Sequence, residues 1–259
     1  MSHVEGLFGW VDLSSTDTER SKDFYSGLFG WTAQDQPLPE GMSYTQFLLD
    51  GAKVAGMGPM PPDMAAAGMP SMWNSYVIVA DVDAAVERAA AAGGSVVMPV
   101  MTVMDQGRMA MVADPGGAVV GMWQPAAHEG AEVFNVPGAL TWNELQCWDV
   151  AKAKPFYSET FGWEWEAGPQ PGYDMCMLAA KEGDDKSNGG ILTMPPGVPE
   201  EMPSFWLVYF AVADCDASMQ AAQDLGATVM FEAMEMGPGR FGGLVDPTGA
   251  AFAIGSFGG

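Results

Sequence analysis

The first clear pattern in the sequence is an alternation of side-chain character over residues 8–15. Val11 and Leu13 fall on one side of this segment, and Trp10 and Asp12 fall on the other. A period of two is typical of a β-strand that buries one face. The segment therefore predicts a strand whose second face carries an aromatic and an acidic residue.

The apolar spacing becomes helical directly after this strand. Thr16 and the glutamate three residues later resemble a capping box. Residues 17–28 then predict a helix with Phe24 and Tyr25 in its buried stripe, and Gly30 is a typical helix stop. Aspartates at four such helix starts are predicted to be caps and not acids, namely Asp17, Asp81, Asp149 and Asp214.

The rest of the first half predicts a hairpin, a second helix and further strands. The Asp50-Gly51 pair between two apolar runs is a favoured two-residue turn. Residues 60–70 are rich in Pro, Ala and Met and indicate a surface loop. The remaining predicted elements are a strand at 74–80, a helix at 82–92, and strands near 95–101, 108–113 and 118–124.

Two long stretches of the first half return in the second. Residues 10–31 match residues 142–163 at ten of 22 positions. Residues 69–84 match residues 202–217 at ten of 16 positions, and both halves carry an Asp-Pro-x-Gly turn before their last strand. Repetition on this scale indicates two copies of one structural unit.

The strand–helix–strands order also occurs twice within each half. We therefore predict an α+β fold of four βαβββ modules in two tandem domains. The first domain covers residues 1–125 and the second residues 139–259, with a linker at 126–138. Each domain would form an open curled sheet around a groove, with its helices outside.

The chain resembles the vicinal oxygen chelate superfamily in four features. These are the paired modules, the aspartate between strand and helix, the helix ending in Phe-Tyr-x-x-x-Phe-Gly-Trp, and the late Asp-Pro-x-Gly turn. That group includes glyoxalase I, extradiol dioxygenases and bleomycin-resistance proteins. The resemblance covers nearly the whole chain and is greatest to two-domain actinobacterial proteins, some known as culture-filtrate antigens or described as glyoxalase-like or hydroxylase. One fold of this kind hosts many functions, so the resemblance implies architecture more than activity.

The resemblance implies metal ligands at fixed places, and this sequence departs from them. Metal-dependent members carry a His seven residues before the helix-opening Asp and a Glu on the last strand. The corresponding residues here are Trp10, Asn74, Trp142 and Leu207, with Gly121 and Ala253 on the last strands. The two histidines of the chain, His3 and His128, fall in the N-terminal tail and the linker. We therefore expect neither a metal site nor a cofactor.

Alternation along the strands predicts which side chains line the grooves instead. The first groove would present Trp10, Asp12, Asn74, Tyr76, Gly121 and Trp123, and the second Trp142, Glu144, Leu207, Tyr209, Ala253 and Gly255. Aromatic walls with a few polar groups suit small organic ligands. The alternative is that the tryptophan rings fill the barrels as core.

Arg108 and Arg240 occupy matched places, six residues before the turn aspartates. Each could hold a ligand carboxylate or enolate, or pair with Asp12 or Glu144. A structural ion pair to a loop or turn is the other interpretation.

The amino-acid composition limits the classes of molecule that the protein is expected to bind. The chain has 33 acidic and 10 basic residues and a net charge of −23, which argues against nucleic acid and anionic lipid. Three cysteines without metal-site or disulfide spacing, and no apolar run of membrane length, favour a cytoplasmic protein with reduced thiols. We expect a small-molecule ligand and a monomer or homodimer.

Three functions stay open on this evidence. The preferred one is binding of a small aromatic or cationic molecule in the aromatic-lined grooves. The second is a metal-independent lyase, isomerase or hydroxylase with Asp12 or Glu144 as base and Arg108 or Arg240 stabilising an oxyanion. The third is a glyoxalase- or dioxygenase-type enzyme with unusual metal ligands.

Overall fold

The computed structural model describes residues 4–38, 41–237 and 239–257, which form sixteen strands and five helices. His3 lies outside the described residues. The first half contains β1 (Phe8–Ser15), α1 (Thr18–Phe29), β2 (Thr32–Pro37), β3 (Ser43–Leu49), β4 (Ala52–Pro59), α2 (Pro62–Ala66), β5 (Met72–Ile78), α3 (Val82–Ala91), β6 (Ser95–Val103), β7 (Gly107–Ala113) and β8 (Val119–Pro125). The second half contains β9 (Leu140–Cys147), α4 (Val150–Phe161), β10 (Glu164–Ala167), β11 (Tyr173–Met177), β12 (Ser187–Thr193), β13 (Phe205–Ala211), α5 (Cys215–Asp224), β14 (Thr228–Met236), β15 (Gly239–Val245) and β16 (Ala251–Phe257).

The strands form two eight-stranded sheets with the same internal order. The first sheet runs β2-β3-β4-β1-β5-β8-β7-β6, and the second runs β10-β11-β12-β9-β13-β16-β15-β14. In every module the opening strand pairs in parallel with the closing strand, because a helical crossover separates them. The remaining pairs within each module are antiparallel. The predicted α+β fold of four βαβββ modules is confirmed.

Side-chain packing groups the modules differently from the sequence repeat. The inner-module unit contains the chain up to Trp10, Ser75–Gly130 and Trp142–Leu207. The outer-module unit contains Val11–Asn74, Ala131–Thr141 and the chain from Val208. Each unit thus combines one module from each half of the sequence. The domain limits predicted from the repeat stay a prediction.

Each unit has its own hydrophobic core. Val11 and Leu13 belong to the core of the outer-module unit, and Val77 and Val79 belong to that of the inner-module unit. All four are at most 1% exposed, so the predicted apolar faces of their strands are confirmed. None of the helices within the described ranges is long and apolar enough to span a membrane.

A buried tyrosine in each core contacts the Asp-Pro-x-Gly turn of the other sequence half. In the outer-module unit the Tyr25 hydroxyl donates to Asp246 Oδ2 at 2.9 Å and accepts from Trp73 Nε1 at 2.8 Å. Asp246 Oδ1 accepts the backbone N–H groups of Thr248 and Ala250. Burial raises the pKa of Tyr25 well above its usual range, so the hydroxyl stays protonated and donates.

The inner-module unit repeats this arrangement. The Tyr157 hydroxyl donates to Asp114 Oδ2 at 3.0 Å and accepts from Trp206 Nε1 at 2.9 Å. These contacts explain the repeated Phe-Tyr and Asp-Pro-x-Gly motifs as structural, since they give the buried tyrosine hydroxyl and aspartate Oδ2 of each pair a hydrogen bond.

The helix starts agree with the predicted caps, with one correction. Asp17, Asp81, Asp149 and Asp214 each accept a hydrogen bond from the backbone N–H three residues later. Thr16 does not cap α1, because its hydroxyl and backbone N–H both bond to Ser71 Oγ. The predicted loop at 60–70 also contains the short helix α2, which has no buried residue.

Candidate functional site

Trp10 is the first predicted groove residue, and its ring is packed away from solvent. It is 3% exposed and meets the imidazole of His128 edge-on, with ring centroids 4.4 Å apart. Trp123 contacts the same imidazole at 5.6 Å and donates from Nε1 to the His128 carbonyl at 2.8 Å. The histidine assigned to the linker is therefore buried among aromatic rings of the inner-module unit.

Tyr76 occupies the space over the last-strand position of the same unit. It pairs with Gly121 across β5 and β8 and is 4% exposed. A Cβ atom at Gly121 would lie 2.2 Å from the Tyr76 ring, well inside van der Waals contact. A glutamate at position 121 would therefore collide with this phenol.

The outer-module unit contributes a half-buried polar group at the end of β1. Asn74 Nδ2 donates to Asp12 Oδ1 at 2.9 Å and to Ser14 Oγ at 3.1 Å. All three side chains are partly exposed. The predicted residues Asp12 and Asn74 are thus in direct contact.

Trp142, the counterpart of Trp10, is partly exposed and belongs to a cluster of four hydrogen-bonded side chains. Its Nε1 donates to the Tyr173 hydroxyl at 2.8 Å, and that hydroxyl is hydrogen-bonded to the Glu144 carboxylate. Gln146 Nε2 donates to Glu144 Oε1 at 3.3 Å. We call these four residues the Trp142 cluster, and all of them lie in the inner-module unit.

The Trp142 cluster places a nearly buried carboxylate behind two partly exposed rings. Glu144 and Gln146 are each 7% exposed, whereas Trp142 and Tyr173 are partly exposed. Burial, followed by the nearby Glu144 charge, raises the pKa of Tyr173 well above its usual range. The phenol therefore stays protonated at neutral pH.

Two predicted residues on β13 are buried. Leu207 is 1% exposed in the inner-module unit, and Tyr209 is 3% exposed in the outer-module unit. Tyr209 pairs with Ala253 across β13 and β16 and meets the Phe241 ring edge-on at 6.1 Å. Their role in ligand binding stays a prediction.

The matched arginines lie at the surface and pair with helix residues. Arg108 contacts Asp83 at the start of α3, with Nη1 2.5 Å from Oδ2. Arg240 bonds to both oxygens of Asp216 at the start of α5 and lies 3.5 Å from Glu235. The Arg240 hydrogen bond lowers the pKa of Asp216. The geometry agrees with the structural interpretation of a strand tied to a neighbouring element.

The three cysteines are buried and free. Burial raises the pKa of Cys147 to about 12 and that of Cys215 to about 11. Burial also raises the pKa of Cys176. Thiols with raised pKa values in apolar surroundings are poor nucleophiles.

Comparison with known proteins supports the architecture. Residues 7–122 match the Glyoxalase/Bleomycin resistance protein/Dioxygenase superfamily, and residues 142–255 match a glyoxalase-like domain. The chain is 40% identical over 252 residues to CFP32 of Mycobacterium tuberculosis, which is named as a glyoxylase; the match covers 96% of this chain and 94% of CFP32. The chain belongs to the glyoxalase/bleomycin resistance/dioxygenase superfamily.

Two further proteins are similar to this chain. The anthracycline biosynthesis protein DnrV of Streptomyces peucetius is 38% identical over 259 residues, covering 96% of this chain and 92% of DnrV. The crystal structure of an Mn(II)-bound glyoxalase from Novosphingobium aromaticivorans matches with a TM-score of 0.65, covering 99% of this chain and 83% of that one. At 17% identity, that likeness shows a shared fold and nothing about shared chemistry.

The residues of this chain do not fit the metal site that the superfamily implies. Within residues 4–38, 41–237 and 239–257, no three or more His, Cys, Asp or Glu side chains group closely enough to hold a metal ion. Tyr76 takes the space of a ligand at position 121, and Trp10 stands in place of a histidine.

Sequence reasoning missed Tyr173 and Gln146, and it assigned His128 to an open linker. The repeat could have indicated Tyr173, because register places it and Tyr44 alike. In the second half, Gly190 pairs with both Glu144 and Met175, and Tyr173 lies two residues before Met175. In the first half, Gly56 pairs with both Asp12 and Gln46, and Tyr44 lies two residues before Gln46. No signal in the sequence indicated that His128 is buried.

Proposed function

We propose that this chain binds a small organic molecule with an aromatic ring at the Trp142 cluster. The observation that carries the proposal is a partly exposed indole and phenol beside a carboxylate that is 7% exposed. An aromatic surface with one or two placed polar groups is the usual composition of a small-molecule site. The rings would stack on the ligand, and Glu144 would accept a hydrogen bond from it.

The first half supports this choice by contrast. Trp10 is 3% exposed and covered by His128, so its ring has little surface left for a ligand. Asp12 and Asn74 remain partly exposed, but they bond to each other. The matching place in the second half is the one with accessible aromatic surface.

The names of related proteins are consistent with an aromatic ligand. The superfamily includes bleomycin-resistance proteins, and DnrV is named for anthracycline biosynthesis. Anthracyclines contain fused planar rings, which offer the surface that an exposed indole can stack on. An anthracycline is therefore a reasonable first probe.

A metal-independent enzyme is the second candidate, and the burial of Glu144 favours it. A carboxylate in a desolvated place beside a ligand suits a general base. CFP32 is named as a glyoxylase, which is also consistent with catalysis. The Glu144→Gln variant would keep the shape of the site and lose the base, so turnover unchanged by this substitution would exclude that assignment.

Titration calorimetry with a planar aromatic probe tests the binding proposal. We expect Trp142→Ala to weaken binding by about tenfold or more, because loss of a ring contact is worth roughly 0.5–1.5 kcal/mol and the Tyr173 hydroxyl also loses its donor. Trp148→Ala is the matched control, since Trp148 is 40% exposed and bonds to the Met202 carbonyl, outside the cluster. Equal affinity in wild type and Trp142→Ala would contradict the proposal.

A further inference from the structure

Tyr173 connects the aromatic and the acidic parts of the Trp142 cluster. We propose that Tyr173 is a positioning residue that holds Glu144 as an anion, so that the cluster selects aromatic cations over aromatic anions. This inference rests on the proposed function and adds the charge of the ligand to it.

The direction of the hydrogen bonds follows from the chemistry of the groups. An indole N–H can only donate, so the bond between Trp142 Nε1 and the Tyr173 oxygen runs toward the phenol. The phenol has one proton, and the Glu144 carboxylate is its acceptor. Gln146 Nε2 donates to Glu144 as well. Tyr173 and Gln146 therefore both donate to Glu144, and Trp142 donates to Tyr173.

Two opposing effects determine the charge of Glu144. Burial to 7% exposure disfavours a charged carboxylate, whereas each donated hydrogen bond stabilises it. Hydrogen bonds to a charged group are roughly twice as strong as those between neutral groups. Removing the Tyr173 proton should therefore shift Glu144 toward its neutral form.

The backbone makes room for this phenol at Gly190. A Cβ atom there would lie 1.9 Å from the Tyr173 hydroxyl oxygen, so any larger residue displaces it. Gly190 pairs with Glu144 across β12 and β9, which places the phenol over the carboxylate's own strand. Gly190→Ala can thus move the hydroxyl without changing Tyr173 itself.

An anionic carboxylate beside an accessible indole face favours one class of ligand. A cation over an aromatic ring is attracted by the negative face of the ring, and the carboxylate adds a charge-assisted hydrogen bond. An aromatic anion of the same size would be repelled. The net charge of −23 also raises the local concentration of cations near the protein.

The test has a ligand-free and a ligand-binding measurement. Carbon-13 NMR follows the titration of the Glu144 carboxyl carbon. Its resonance is assigned as the one that is missing from the spectrum of Glu144→Gln. We expect the titration midpoint to rise by about one pH unit in Tyr173→Phe and to rise in Gly190→Ala. Tyr44→Phe, at the matching place on β3, should leave it unchanged. Calorimetry then compares proflavine, a planar cation, with anthraquinone-2-sulfonate, a planar anion.

The outcomes separate the two proposals. We expect wild type to bind proflavine at least tenfold more tightly than the sulfonate. As the pH is lowered, Tyr173→Phe should stop binding proflavine at a higher pH than wild type does. The difference in pH should equal the shift of the Glu144 titration midpoint. An unchanged Glu144 midpoint in Tyr173→Phe would overturn the role of Tyr173, whatever binds. If wild type binds both probes equally, the cation class is wrong. If it binds neither, the proposed function fails together with the cation class.

Discussion

Trp10 and Trp142 are the same residue at the same place in two copies of one strand, yet their surroundings differ. Trp10 is 3% exposed beneath His128, whereas Trp142 is partly exposed beside Tyr173. The partner decides the outcome, and it comes from another part of the chain in each case. An identical residue in a repeat therefore fixes a place in the fold but not a function.

The polar residue two positions later also differs between the copies. Asp12 bonds to Asn74 and is partly exposed, and Glu144 bonds to Tyr173 and is nearly buried. Aspartate and glutamate both supply a carboxylate, and Glu144 lies beside the partly exposed rings of Trp142 and Tyr173. The second copy is thus the better candidate for a site, and the first is the better candidate for a structural element.

The largest loss of stability is expected when the two halves of the chain are separated. Each packing unit takes one module from each half, so residues 1–130 and 131–259 expressed apart should each lose the partners of their cores. We expect each half alone to show no cooperative unfolding as a monomer, and the mixed halves to regain it. Urea denaturation followed by circular dichroism, with analytical ultracentrifugation for mass, measures this.

The repeat-based domain limits lead to the opposite expectation. Two monomeric halves, each unfolding cooperatively with native-like stability, would show that the tyrosine–aspartate contacts in the cores are dispensable. In that case the two copies could be compared as independent domains.

A second test compares the two tryptophans directly. Trp10→Ala should destabilise the protein by about 3–5 kcal/mol, because a fully buried indole is lost and a cavity remains. Trp142→Ala should cost only about 1 kcal/mol, since its ring already contacts solvent and mainly loses one hydrogen bond. Urea unfolding of both variants measures the difference. Similar losses in the two variants would contradict the contrast between the copies.

A loss of stability smaller than that of Trp10→Ala is expected at the last strand of the first copy. Gly121→Ala should destabilise by about 1–3 kcal/mol, because its Cβ would lie 2.2 Å from the Tyr76 ring, which must move in a packed core. Gly58→Ala is the control, since its Cβ would meet only Tyr44, at 3.6 Å. Thermal unfolding of the two variants gives the comparison. A stable Gly121→Ala protein would mean that Tyr76 does not fill this position.

Much of the fold could be predicted from the sequence because its signals are local. Alternation at Val11 and Leu13, the caps from Asp17 to Asp214 and the Asp50-Gly51 turn each act over a few residues, and the structure confirms them. The positive φ angles of Asp50 and Gly51 match the predicted hairpin turn. Because these local signals recur along the chain, they also predicted the four-module architecture.

The candidate site could be predicted only in part. Trp142 and Glu144 were found through strand alternation and the family resemblance, both of which depend on position along one strand. Tyr173 comes from a different strand, and its contact depends on register and on the space at Gly190. The pairing of Arg240 with Asp216 likewise required the packing of α5 beside β15.

The sequence by itself determined the four modules, the order of strands and helix along each of them, and the absence of the usual metal-ligand residues at the family positions. Only the tertiary structure decided which copy keeps partly exposed aromatic rings beside a buried carboxylate, and how the modules share cores. The physical reason is that exposure and hydrogen bonding depend on what the rest of the chain places against a side chain. His128 against Trp10 and Tyr173 against Trp142 give identical tryptophans different roles.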